Sequence, residues 1–92
     1  MKTGVELIAE ERQRQVIEEE WTAEHDDQWV NGELAQAAVC YAINHTTLRQ
    51  SITWENWPWA LGYRKPKDPI RDLVRAGALI AAEIDRLQRI DQ

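Results

Sequence analysis

The pair Asp68-Pro69 opens the stretch that most restricts what this chain can become. Asp is favoured just ahead of a helix because its carboxylate accepts free amides of the first turn. Pro is tolerated at the first helical position, where it forfeits no hydrogen bond. Beyond the pair, Ile70, Leu73, Gly77, Ile80, Ile84 and Leu87 recur at alternating spacings of three and four. That period predicts a helix from Pro69 to about Leu87, laid along a core seam. Gly77 in its middle costs up to about 1 kcal/mol against Ala. Its presence implies close approach of another helix, most simply an alanine-rich one.

The sequence offers such a helix from Glu33 to Asn44, opened by Asn31-Gly32. Leu34, Ala37, Ala38, Tyr41 and Ala42 share a face that Ala35 and Val39 extend. A further helix begins where Thr3 and Glu6 have capping-box spacing and runs toward Glu20. Its apolar stripe of Val5, Ile8, Ala9, Val16 and Ile17 is interrupted by the polar run from Glu11 to Gln15, so it is expected to pack at its two ends. Arg12 and Arg14 are either solvated or reach over a ligand site. Glu18-Glu19-Glu20 opposes the macrodipole, so the helix should fray before Trp21. The segment from Trp21 to Trp29 reads as a structured loop in which Thr22 or Asp26 caps a turn. From His45 to Lys67 no helical period survives, and Leu48, Ile52 and three Trp are expected to fold this connection onto the helices, with a short helical turn near Trp54. The fold expected is therefore all-α: one domain over residues 1–92, a compact bundle of three main helices with a long Trp-rich connection before the last.

Composition restricts function further. Ninety-two residues supply one core and not two. Cys40 stands alone, which excludes an internal disulfide and fits a reducing cytoplasm; packing explains it better than chemistry. No apolar run has the length of a membrane span, so no membrane partner is expected. Residues 1–33 hold ten acidic and three basic side chains, and residues 34–92 hold six and eight. Duplex nucleic acid, which is held mainly through its phosphates, is a poor partner for that balance.

Five Trp with no Phe exceed what a small core requires. Trp54, Trp57 and Trp59 lie within six residues, Tyr63 follows, and then come Arg64, Lys65, Lys67, Arg71 and Arg75. Flat aromatic faces suit a base, and fixed positive charge suits phosphates. The start of the last helix adds its free amides, which favour an anion. The candidate ligand-binding residues are Trp54, Trp57, Trp59, Tyr63, Arg64, Lys65, Arg71 and Arg75. The alternative for the same Trp cluster is a hydrophobic plug over the helix ends. His25, Asp26, Asp27 and Glu33 invite a metal reading, but adjacent ligands on one loop rarely converge, and capping explains them better. No metal, cofactor or catalytic residue is assigned.

The combination of Glu11-Arg12-Gln13-Arg14-Gln15, Trp21 through Asp27, Gly32-Glu33-Leu34-Ala35, Trp57-Pro58-Trp59, Lys65-Pro66-Lys67-Asp68 and Asp72 through Ile80 resembles a family of small proteins encoded by tailed phages and prophages. That resemblance implies an accessory role in the infected cell. A helix followed by Trp21-Thr22 and then Asp26-Asp27 also resembles the ryanodine-receptor-type repeat, a helical module proposed to bind nucleotide-type ligands in bacterial defence proteins. It adds Trp21, Thr22, Asp26 and Asp27 to the candidate ligand-binding set.

Three functions remain open on the sequence. One is a module that captures a nucleotide-like small molecule without turnover, a sponge for a host immune signal and so an anti-defence protein. Another is an inhibitor that presents its acidic first helix to a host protein. The last is a metal-dependent nucleotide hydrolase, against which the chain lacks the Glu-x-x-Glu that all-helical pyrophosphohydrolases use. Homo-oligomerisation is open as well, since a core this small often gains stability from a second copy.

Overall fold

A computed structural model describes residues 1–50 and 54–90. Four α-helices follow in order: α1 (Gly4–Ile17), α2 (Ala23–Asp27), α3 (Glu33–Ile43) and α4 (Pro69–Ile90). Among the described residues there is no strand, and the three longer helices form the expected all-α bundle. Short 3-10 turns at Thr47–Gln50, Trp54–Asn56 and Leu61–Tyr63 interrupt the connection between α3 and α4. The turn at Trp54 is the one expected there. Ile52 lies outside the described residues.

The helix starts follow their sequence signals. Thr3 and Glu6 form the reciprocal capping box, with the Thr3 amide donating to Glu6 at 2.9 Å. Thr22 caps α2, so the segment read as a loop contains a five-residue helix; Asp26 lies inside it and does not cap. Asp68 accepts the Arg71 amide at 2.9 Å and starts α4 beside Pro69. Helix α1 ends at Ile17, earlier than Glu20. Glu20 then takes a left-handed backbone, φ 58°, and the Trp21 amide reaches back to the Gln15 carbonyl at 3.0 Å.

Helix α4 is central, with α3 along one side and α1 along another. The core comprises Leu34, Ala37, Ala38, Cys40 and Tyr41 of α3, Ala76, Leu79 and Ala82 of α4, and Trp57 from the connection. Five expectations need correction. Val39 does not extend the α3 core face and is largely exposed; Leu48 does not fold down either. Gly77 is approached by Ile8 of α1 and not by the α3 alanines: a Cβ built there would lie 2.5 Å from the Ile8 Cδ1. Helix α1 does not pack only at its ends. It buries the first and last residues of its polar run, Glu11 and Gln15 at 2% exposure each, and leaves Val5 and Ile17 in solvent. Finally, Ile70, Leu73, Ile80, Ile84 and Leu87 are 48–68% exposed, because α4 buries the adjacent face of small residues and gives its regular seam no cover.

Three buried carboxylates stand in for missing apolar bulk. Asp72 is fully buried and accepts from Asn44 at 3.0 Å, His45 at 2.8 Å and the Lys67 amide at 2.8 Å, tying the end of α3 to the entry of α4. Asp26, equally buried, is paired to Arg12 at 2.7 Å. Glu11 is paired to arginines on two helices, described below. Each carboxylate meets several donors, the condition under which burying a charge is tolerable.

Candidate functional site

Helical spacing brings the first wall together. Glu11, Arg14 and Gln15 stand at i, i+3 and i+4 on α1 and so project from one face; Arg75 and Leu79 of α4 do the same at i, i+4. These side chains line a cavity of about 630 Å³, with Trp21, His25 and Trp29 from the α2 region, Tyr41 from α3, and Trp57, Pro58, Trp59, Tyr63 and Lys65 from the connection. That volume falls within the ~300–1,000 Å³ of small-molecule sites.

The rings form one continuous aromatic wall. Trp21 stacks on His25, centroids 5.5 Å apart and planes 6° from parallel. Trp29 meets His25 at 6.2 Å and Trp59 at 5.3 Å, Trp59 meets Trp57 at 5.3 Å, and Trp57 meets Tyr41 at 5.5 Å, mostly edge to face. The question of plug or ligand wall thus has a divided answer. Trp57 is core, 7% exposed with its Nε1 donating to the Ala60 carbonyl at 3.1 Å, and it also lines the cavity. Trp59 and Trp29 line the cavity with their Nε1 atoms buried and unpartnered. Gln15 Oε1 is buried without a donor in the same lining. Each of these three atoms is closed to solvent and unsatisfied among the described residues, a cost of ~1–3 kcal/mol apiece.

Charge is placed with equal asymmetry. Glu11 accepts from Arg14 Nε at 2.8 Å and Nη2 at 2.9 Å, and from Arg71 of α4. Burial pushes the Glu11 carboxyl up, but the hydrogen bonds and charge of Arg14 and Arg71 outweigh it and hold its pKa below the ordinary value. The Arg14 pKa is raised, chiefly by that bond to Glu11, and Arg14 also holds Glu19 at 3.1 Å. Lys65 and Arg75 differ: among the described residues neither faces a carboxylate. Arg75 lies 5.9 Å over the Tyr41 ring and donates to the Lys65 carbonyl, while the Lys65 amide donates to the Tyr41 hydroxyl at 2.9 Å. Burial raises the Tyr41 pKa, so the phenol stays neutral and remains an acceptor for that amide. His25 is oriented by Asp26, its Nδ1 2.9 Å from Oδ1, which Arg12 holds in turn. Its Nε2 has no protein partner among the described residues.

Of the sequence candidates, Trp21, Trp57, Trp59, Tyr63, Lys65 and Arg75 line this cavity. The others do not. Trp54 packs on Tyr41 and Trp57, with Arg64 5.6 Å over its ring. Arg71 holds Glu11 from the α4 side, and Thr22 caps α2. Asp26 is committed to Arg12 and His25, and Asp27 pairs with Arg89 at 2.7 Å on the surface. Glu33 accepts from the Asn31 amide. Among the described residues no three His, Cys, Asp or Glu side chains converge on a point that could hold a metal ion. Of Arg12 and Arg14, read as solvated or reaching over a ligand site, Arg14 is in the wall; the sequence reading missed Glu11, Gln15, His25, Trp29 and Tyr41 as wall. The polar interruption of the α1 stripe was the available signal, since residues 11, 14 and 15 are one face of a helix.

No family model, curated protein or solved structure matches this chain.

Proposed function

We propose that this chain is a binding module that captures a nucleotide-derived small molecule in the aromatic cavity and releases it unchanged. The supporting observation is the conjunction, around one cavity, of a continuous Trp wall and two cations, Lys65 and Arg75, that have no carboxylate partner among the described residues. A base stacked against Trp21 or Trp59 would gain about 1–3 kcal/mol. Lys65 and Arg75 would meet its phosphate. A few such contacts suffice for micromolar affinity, about −8 kcal/mol. The resemblance to small tailed-phage proteins gives the capture a purpose, the withdrawal of a host immune signal from its receptor in the host cytoplasm.

Capture accounts for the site better than hydrolysis, because the cavity's carboxylates, Glu11 and Glu19, are both turned toward Arg14. It also accounts for the molecule better than acidic mimicry of a host protein's ligand. Glu11, in the middle of the acidic helix, is buried between Arg14 and Arg71 and so withheld from a partner, and Glu10 is paired with Lys2.

The test is Trp fluorescence and melting temperature against mono-, di- and cyclic nucleotides and ADP-ribose derivatives, followed by chromatography of the recovered compound. Quenching, a raised melting temperature and an intact compound are the expected result. A chemically altered compound would make the protein an enzyme, with His25 as the first residue to replace. No response at low or moderate salt would overturn the nucleotide reading.

A further inference from the structure

The exposed side of α4 is as unusual as the cavity. From Leu73 to Ile90, Asp85 and Gln88 are the only polar residues among its exposed positions. The stripe of Ile70, Leu73, Ile80, Ile84 and Leu87 runs almost the length of the helix, and Ile8 of α1, half-buried, fills the gap over Gly77. A solvated helix face of a monomer ordinarily carries charges at such positions. With about half of each side chain uncovered, the five residues alone present on the order of 500 Å² of apolar surface, at or above the ~400 Å² that marks an interaction site.

We infer that this stripe is the interface between two copies of the chain, packed antiparallel through α4. Three observations select a second copy. The alternating spacing of three and four over residues 70–87 is the pattern by which helices pair with one another, held in a seam that, among the described residues, is covered only at Gly77 by Ile8. It also reads the same in both directions: reversing one helix sets Ile70 against Leu87, Leu73 against Ile84, and Gly77 with its covering Ile8 against Ile80. That correspondence is what a two-fold, self-complementary contact requires. Of the positions flanking the stripe, Val74, Ala76, Ala81 and Gln88 bear no charge, Glu83 is held by Arg86 at 2.6 Å, and antiparallel order sets the exposed Asp85 of each copy toward opposite ends of the contact. Exposed Val5, one turn from Ile8 on α1, brings the apolar surface to about 600 Å² per copy, or about 1,200 Å² for the pair, the lower end of stable interfaces.

The experiment is sedimentation of the full chain from about 1 to 100 μM, for the wild type and for Ile80→Glu/Ile84→Glu. Both positions are exposed in the single chain, so the variant should keep its helical circular dichroism, and the milder Ile80→Gln/Ile84→Gln serves if it does not. The wild type should sediment as a dimer and the substituted chain as a monomer, its dissociation constant raised at least about a hundredfold. A monomeric wild type at the highest concentration, or an assembly whose mass the substitutions leave unchanged, would overturn the inference. Direction is read by oxidising single-cysteine variants, with buried Cys40 left in place. Leu73→Cys mixed with Ile84→Cys should crosslink, and either variant alone should not; the opposite pattern would refute antiparallel pairing.

Discussion

Replacing Glu11 by Gln removes the one group that, among the described residues, ties α1 to α4 by charge, while keeping its shape. The carboxylate is 2% exposed and takes two bonds from Arg14 and another from Arg71 across the helix interface. Removing one partner of a buried ion pair costs about 3–5 kcal/mol. Here both guanidiniums keep about a third of their surface in water and can rehydrate, and Gln retains one acceptor oxygen. The expected loss is therefore about 2–3 kcal/mol, which for a domain of this size lowers the melting temperature by roughly 10–20 °C. Thermal and urea unfolding at pH 7 measure it. A second arm uses the sign of the pKa shift. The folded-state pKa of Glu11 is depressed, so its contribution is complete above the ordinary carboxylate value of about 4.3 and disappears as pH falls through the folded value. The gap between wild type and Glu11→Gln should therefore close on acidification from pH 6 to pH 3. A loss under about 1 kcal/mol at pH 7, or a gap that does not narrow in acid, would refute the view that this ion network holds α1 in place.

Three further outcomes follow from the same geometry. Trp57→Ala should cost about 3–5 kcal/mol as a cavity-forming core substitution, whereas Trp59→Phe, which deletes an unpartnered N–H, should leave the melting temperature within a few degrees and weaken ligand quenching. Equal stability losses in the two would erase the distinction between core and wall. Glu20→Gly should raise stability by about 1 kcal/mol in urea unfolding, since it relieves a left-handed non-glycine residue and removes negative charge beyond the end of α1; an unchanged midpoint would count against both reasons. Gly77→Ala should lower stability by about 1 kcal/mol despite better helix propensity, and Ile8→Ala should cancel that effect in a double-mutant cycle, because the Ile8 side chain occupies the space of the new Cβ.

Helix starts and helix type were written locally. Thr3 with Glu6, Thr22, and Asp68 with Pro69 each satisfy the free amides of the turn they precede, a matter settled within four residues. The α3 core face was legible for the same reason: Leu34, Ala37, Ala38 and Tyr41 share it whatever packs there. What the sequence could not decide was which face of α1 and α4 turns inward. For α1 the apolar stripe lost to Glu11 and Gln15, because Arg71, sixty residues away, supplies the counter-charge that makes burying a carboxylate tolerable. For α4 the regular seam lost to a face of small residues, because only Ala76, Ala78 and Ala82 allow the neighbouring backbones to approach closely. The cavity inherits both decisions. Its Trp and its basic residues could be named from the chain, and the polar face of residues 11, 14 and 15 was a local signal, but His25 and Tyr41 reach it only through the packing of helices distant in sequence, and no local pattern records that.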